Sequence, residues 1–94
     1  MTATAATETI LDAARERAIE VREYADDLAY PAEYRAECLA AAAAVDAGDR
    51  HTIRLLAIER AETLLARAVD LDIDATGRDH MLSEVLALDL ALAN

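Results

Sequence analysis

The apolar residues of this chain recur at alternating steps of three and four, a spacing that puts them on one face of an α-helix. In the first third of the sequence the row is unbroken and consists of Leu11, Ala14, Ala18, Val21, Ala25 and Leu28. Further rows follow in the rest of the chain, built mainly from Leu and Ala, which favour helix over strand. The pattern therefore predicts an all-α protein.

Breaks between the rows divide the chain into helical segments within a single domain, residues 1–94. Pro31 ends the first helix and begins the second, because proline disfavours a helical conformation at the residue before it. Gly48 is a stop signal for the second helix, and Asp49 and Asp79 can cap the third and fourth. We expect a small antiparallel bundle of three or four helices, with residues 1–7 flexible. The predicted helices cover about 7–29, 31–47, 50–71 and 79–93.

The core of such a bundle is expected to be thin. Roughly a quarter of the residues are Ala, and Phe and Trp are absent, although 55% of the chain is hydrophobic. A short chain with small core residues leaves apolar surface uncovered, so we expect another molecule to cover part of it. We predict a homodimer that forms through helix 1 or helix 4. The expected interface residues are Leu11, Ala14, Ala18, Val21, Met81, Val85, Leu88 and Leu92.

A formal net charge of −10 limits the classes of partner. Nucleic acids and anionic membranes are not expected as direct partners, because binding to either needs clustered positive charge. No apolar run approaches the roughly 20 residues that span a bilayer. The lone Cys38 suits a reducing cytoplasm, where we expect the protein to reside. The absence of Lys beside abundant Ala, Arg and Asp is typical of a high-G+C bacterium or its phage.

Acidic residues on helix 1 and three nearby tyrosines form a candidate surface for a protein partner. The acidic residues are spaced by three and four, so they share one face of the helix. That face can dock on a basic protein, or it can be the solvated back of an amphipathic helix. The tyrosines can be binding hot spots or bulky plugs at the end of the bundle. The candidate partner-binding residues are Asp12, Glu16, Glu20, Glu23, Asp27, Tyr24, Tyr30 and Tyr34.

The acidic connector before the last helix resembles the opening of a calcium-binding EF-hand loop. Asp72, Asp74 and Thr76 occupy its first, third and fifth positions, and a glycine follows at the sixth. The loop should close with a bidentate carboxylate at the twelfth position, but Ser83 stands there and Glu84 comes one residue late. We therefore expect a solvated linker without a metal. The alternative is a calcium site formed by Asp72, Asp74, Thr76 and Glu84.

The chain carries no set of residues typical of catalysis. Cys38 lies on the apolar row of helix 2, where a buried filler is expected, and no histidine is close to it in sequence. His51 and His80 both begin helices, and the helix between them would hold them about 33 Å apart, too far to share a zinc ion within one chain. We expect no enzymatic activity and no cofactor.

These features favour a non-enzymatic, small acidic protein that binds and modulates a protein partner, which we expect to be basic. A phage-encoded accessory protein acting on a host protein fits the size and composition. Three alternatives stay open at this point. They are a structural or assembly subunit, an antitoxin-like or nucleic-acid-mimicking inhibitor of a basic protein, and a calcium-binding helix-loop-helix module.

Overall fold

The chain folds into a bundle of α-helices, as its apolar spacing predicts. The computed structural model describes residues 2–70 and 72–93, and the side chains of 5–70 and 72–93. Within those residues the structure has four helices and no strand, so the predicted all-α class is confirmed. The helices are α1 (Thr2–Asp26), α2 (Ala32–Asp46), α3 (Arg50–Ala68) and α4 (Ala75–Leu92).

Two helix starts differ from the sequence prediction. The first helix begins at Thr2 and not near residue 7, in a segment rich in Ala, the strongest helix former. The last helix begins at Ala75 and not at Asp79, because the Asp74 carboxylate accepts the Gly77 N–H at 2.6 Å and caps the helix there. The expected end of the third helix at residue 71 lies outside the described residues.

The turn between α2 and α3 follows the predicted signals. Gly48 has φ +82°, a left-handed conformation that glycine adopts without strain. Asp49 is the N-cap of α3, and its carboxylate accepts hydrogen bonds from the hydroxyl and the backbone N–H of Thr52. These two hydrogen bonds lower the pKa of Asp49, since they favour its charged form.

Helices α1 and α3 form the centre of the bundle, with α2 on one side and α4 on the other. The apolar row of α1 is buried from Ala14 to Ala25, whereas Leu11 is partly buried and Leu28, beyond the end of the helix, is 81% exposed. The core forms two adjoining clusters that both contact Ile53. The first cluster joins α1, α2 and α3 through Ala14, Ala18, Val21, Ala25, Cys38, Ala42, Val45 and Leu56. The second joins α1, α3 and α4 through Ile10, Ala13, Ala57, Ala61, Leu88 and Ala91.

The resulting molecule is a flat slab. Its Cα atoms extend over 38 × 36 × 14 Å, and its radius of gyration is 14.2 Å. A compact domain of this length has a radius of gyration of about 12 Å. Alanine occupies much of the core, and among the described residues Leu88 is the largest side chain that is fully buried. The flat shape exposes more surface than a rounder bundle of the same chain would.

Replacing Leu88 by Ala should destabilise the fold strongly. Leu88 is fully buried, so Leu88→Ala removes apolar contacts and leaves a cavity, which we expect to lower the free energy of unfolding by about 2–5 kcal/mol. The matched control is Leu39→Ala on α2, where the leucine is exposed and the expected loss is within about 0.5 kcal/mol. Urea denaturation followed by circular dichroism measures both values. Equal losses of stability for the two variants would contradict the burial of Leu88 in the core.

Candidate protein-binding surfaces

A row of three exposed leucines runs along α4, and we call it the α4 leucine row. It consists of Leu82, Leu86 and Leu90, which are 42%, 62% and 64% exposed and follow one another at steps of four. Two residues turn a helix by about 200°, so Leu86 and Leu90 lie opposite the buried Leu88. The row therefore faces away from the core, on the outer side of α4.

Helix α3 runs antiparallel beside α4. At one end of the helix pair, Nη2 of Arg54 donates a hydrogen bond to the Leu92 carbonyl at 2.9 Å. At the other end, Nε of Arg78 donates one to the Ala68 carbonyl at 2.8 Å. The outward side of α3 is also apolar, since it carries exposed leucine, isoleucine and valine side chains. These exposed residues are Leu55, Ile58, Leu65 and Val69.

A groove of about 400 Å³ separates α2 from α3, and we call it the α2/α3 groove. It exists because each of these helices packs closely on α1 while they contact each other little. Val21 of α1 lies at its floor, and alanines of α2 form one wall. The lining residues are Arg17, Val21, Tyr34, Glu37, Cys38, Ala40, Ala41, Ala44, Thr52, Leu55, Leu56 and Glu59.

The three tyrosines expected to cluster at the turn between helices 1 and 2 do lie together. The ring centroids of Tyr24 and Tyr30 are 5.8 Å apart, and those of Tyr30 and Tyr34 are 5.1 Å apart. The guanidinium of Arg17 lies 5.5 Å from the Tyr24 ring centroid. Partial burial, with a smaller contribution from the Cys38 thiol, raises the pKa of Tyr34, so its hydroxyl is neutral at physiological pH. Tyr30 and Tyr34 keep more than a third of their surface exposed, which leaves both available to a partner.

The acidic row of α1 is divided by the fold. Asp12, Glu16 and Glu23 are exposed on α1, as a docking row requires, and Asp27 is exposed just beyond the end of the helix. Glu20, by contrast, is 15% exposed, because its carboxylate is turned onto the protein. Its assignment to the partner surface is therefore wrong. The spacing of charges in one helix does not reveal which of them meets arginines from another helix.

Glu20 is the hub of an ion network between α1 and its neighbours. Its carboxylate oxygens lie 3.1 Å from an Arg17 nitrogen, 3.2 Å from Arg60 and 3.4 Å from Arg67. The network continues from Arg17 to Glu59 and from Arg60 to Glu84, both at 3.0 Å. Burial opposes the charge of Arg17, but the hydrogen bond to Glu59 helps to raise its pKa overall. Helices α1, α3 and α4 are thereby joined by charge as well as by apolar contact.

Most of the residues expected at a dimer interface are used inside the monomer. Ala14, Ala18, Val21, Val85 and Leu88 are buried within this chain. Leu11, Met81 and Leu92 are partly buried. The five buried residues are therefore corrected to core positions, because they pack against other helices of the same chain. The assignment of Leu11, Met81 and Leu92 stays a prediction.

The calcium alternative does not match the geometry. Residues 76–84, which would supply the second half of an EF-hand loop, are helical. The Asp74 carboxylate caps α4, Thr76 lies in the first turn, and Glu84 is bonded to Arg60. Asp72 is exposed in the turn before the helix. The four proposed ligands therefore do not converge, and in the described part of the chain no group of His, Cys, Asp and Glu side chains is placed to hold a metal ion.

The residues with the greatest chemical reactivity lie apart from one another. Cys38 is buried in the first core cluster, as its place on the apolar row predicts. His51, near the start of α3, and His80, in the second turn of α4, are both exposed. The fold thus brings neither histidine into the cluster that holds the thiol.

Comparisons with known proteins found no match, so the function has to be inferred from the surfaces of the molecule. No family model matches the chain, no curated protein matches it, and no solved structure matches it. Over the residues that the structure describes, none of the helices combines the length and the apolar character needed to cross a membrane.

Removing the charge of Glu20 should destabilise the protein more than removing an exposed charge. Glu20→Gln leaves three arginines without their shared carboxylate, and we expect a loss of about 1–3 kcal/mol in the free energy of unfolding. The control is Asp46→Asn, which breaks the exposed pair with Arg22 and should cost less than about 1 kcal/mol. Urea denaturation measures both losses. A smaller loss for Glu20→Gln than for Asp46→Asn would contradict the role of the hub.

Proposed function

We propose that this protein is a non-enzymatic protein-binding module and that the α2/α3 groove receives a helix of its partner. The observation that carries the proposal is the separation of α2 and α3 above α1, which leaves a groove of about 400 Å³ with apolar walls. An amphipathic helix laid into a groove between helices is a recurring mode of protein recognition. The groove offers both the length and the side chains for this mode.

The dimensions of the groove suit a short helix. Its α2 wall runs from Tyr34 to Ala44, which is about 15 Å, or close to three helical turns. Ala40, Ala41 and Ala44 are small, so a partner backbone can approach closely. On the opposite wall Leu55 is almost half exposed and supplies an apolar contact for the partner.

The charges of the groove favour a basic partner. Glu37 and Glu59 lie along the groove, and Arg17, which also lines it, already pairs with Glu59 and Glu20. The chain as a whole has a net charge of −10, which attracts a basic protein before contact is made. We therefore propose that the partner helix has an apolar row flanked by Arg or Lys, and that basic side chains meet Glu37.

The setting of this activity is part of the same proposal. The lone cysteine supports action in the cytoplasm, and the absence of Lys beside abundant Ala, Arg and Asp supports an accessory protein of a high-G+C bacterium or its phage. The buried thiol and the separate, exposed histidines support a role in binding and not in catalysis.

Placing a charge in the groove should abolish partner binding. Leu55→Asp puts a carboxylate on the apolar wall, and we expect capture of a specific partner from a lysate of the source cells to fall at least about tenfold. The matched control is Leu39→Asp, because Leu39 is an exposed leucine of α2 that does not line the groove. Immobilised protein and mass spectrometry identify the captured proteins.

The response to salt provides the second criterion. Contacts between basic side chains and the acidic groove are screened, so capture should weaken from about 0.1 M to about 0.5 M salt. Identical capture by the wild type, Leu55→Asp and Leu39→Asp would contradict the groove as the binding site.

A further inference from the structure

The α4 leucine row is an apolar surface on the opposite flank of the bundle from α2 and shares no residue with the α2/α3 groove. We propose that this row pairs with the same row of a second copy of the chain. The two α4 helices would run antiparallel about a twofold axis that passes beside Leu86. This dimer is independent of the groove and leaves the groove open.

The surface area of the chain matches what a stable dimer needs. Its accessible surface is 6300 Å², whereas a monomer of its 10.1 kDa mass is expected to have about 5,300 Å². The excess of about 1,000 Å² is close to the roughly 800 Å² that each partner buries in a standard protein interface. Burying one such patch per subunit would bring the exposed surface to the value typical of a protein of this size.

The leucine spacing also sets the geometry of the pair. Leucines at steps of four form a ridge along the helix, and two such ridges interlock at a crossing angle of about −50° with the axes 8–10 Å apart, as a rough guide. The heptad row of α1 would have favoured a shallow coiled-coil crossing, but that row is buried in the monomer. The α4 row thus predicts a steep crossing centred on its middle residue, Leu86.

An antiparallel pair avoids contacts between like charges. With Leu86 at the centre, Leu82 of one copy faces Leu90 of the other. In the same register Asp89 lies at the level of Ser83 of the second copy. A parallel pair would place the two Asp89 carboxylates at the same level, and like charges across an interface are destabilising. The distribution of charge along α4 therefore selects the antiparallel arrangement.

Helix α3 extends the apolar surface beyond the crossing of the two α4 helices. Arg60 and Arg67 point towards α1, where both contact Glu20. Ile58 and Leu65 each precede one of these arginines by two residues, which is about 200° of helical turn, so they lie on the side away from α1. Because α3 runs beside α4, these two side chains can add to the area that the dimer buries.

A second copy suits this row better than an anionic membrane. Asp79 and Asp89 flank the leucines, and an anionic membrane would repel them. A copy of the chain brings its own matching leucines. The net charge of −10 on each subunit opposes association, so screening by salt should strengthen the dimer.

Cysteine cross-linking tests the register. In a Cys38→Ala background, Leu86→Cys places two thiols at the twofold axis, and mild oxidation should give a covalent dimer. Leu82→Cys should give little, because its two copies lie about 12 Å apart along the helices. A disulfide needs the two Cα atoms within about 7 Å. Leu39→Cys on α2 reports random collision. Equal cross-linking by all three variants, or none by Leu86→Cys in a folded protein, would overturn the proposal.

A charge at the centre of the row tests the energetics. Leu86→Glu puts two carboxylates against each other across the axis, and we expect the dimer dissociation constant to rise at least about tenfold. Leu39→Glu adds the same charge elsewhere and should leave the constant unchanged. Light scattering at about 0.05 M and about 0.5 M salt measures both, and tighter association at the higher salt is expected. Dissociation by salt, or equal effects of the two variants, would contradict pairing through α4.

Discussion

The close approach of α1 to α2 and α3 through alanine is the contact on which the rest of this structure depends. Ala14, Ala18 and Ala25 of α1 share the first core cluster with Ala42 of α2, and Ala13 of α1 shares the second with Ala57 of α3. Small side chains let helix backbones come close, but each of them removes little apolar area from water. The helices are therefore held in a flat layer, and many of the larger side chains stay outside. The exposed leucines of α4 and α3 are a direct consequence of this alanine core.

The ion network around Glu20 fixes the relative position of helices whose apolar contacts are otherwise made by small side chains. Alanine surfaces allow helices to slide past one another, whereas a carboxylate shared by Arg17, Arg60 and Arg67 fits one arrangement. Because the carboxylate is largely shielded from water, these ion pairs are screened less than the exposed pair of Arg22 and Asp46. The network ties α1 to α3 and, through Arg60 and Glu84, to α4. It thereby holds α4 in the orientation that presents its leucine row.

The periodicity of the sequence predicted the helices, but it did not show which other residues each helix face contacts. The row from Leu11 to Leu28 predicted a buried face on α1. The members of that row from Ala14 to Ala25 are buried, but they pack against helices of the same chain and not against a second copy. On α4 two apolar rows lie side by side. No local feature of the sequence showed that the row of Leu88 would be buried and the row of Leu86 exposed. Glu20 was assigned to the surface because two of its three arginine partners, Arg60 and Arg67, lie on α3 and only the fold brings them to it. Asp74 was not predicted as the cap of α4, because Gly77, two residues after the first residue of the helix, resembles a helix stop.

The alanine core leaves apolar surface exposed, and the proposed dimer covers it with a second copy of the chain. Sedimentation equilibrium of the unmodified protein over a wide range of dilution tests it most directly. We expect a mass of twice 10.1 kDa at high concentration that falls to the mass of one chain on dilution, with the transition moving to lower concentration as salt is added. A mass of 10.1 kDa at every concentration and salt would contradict it.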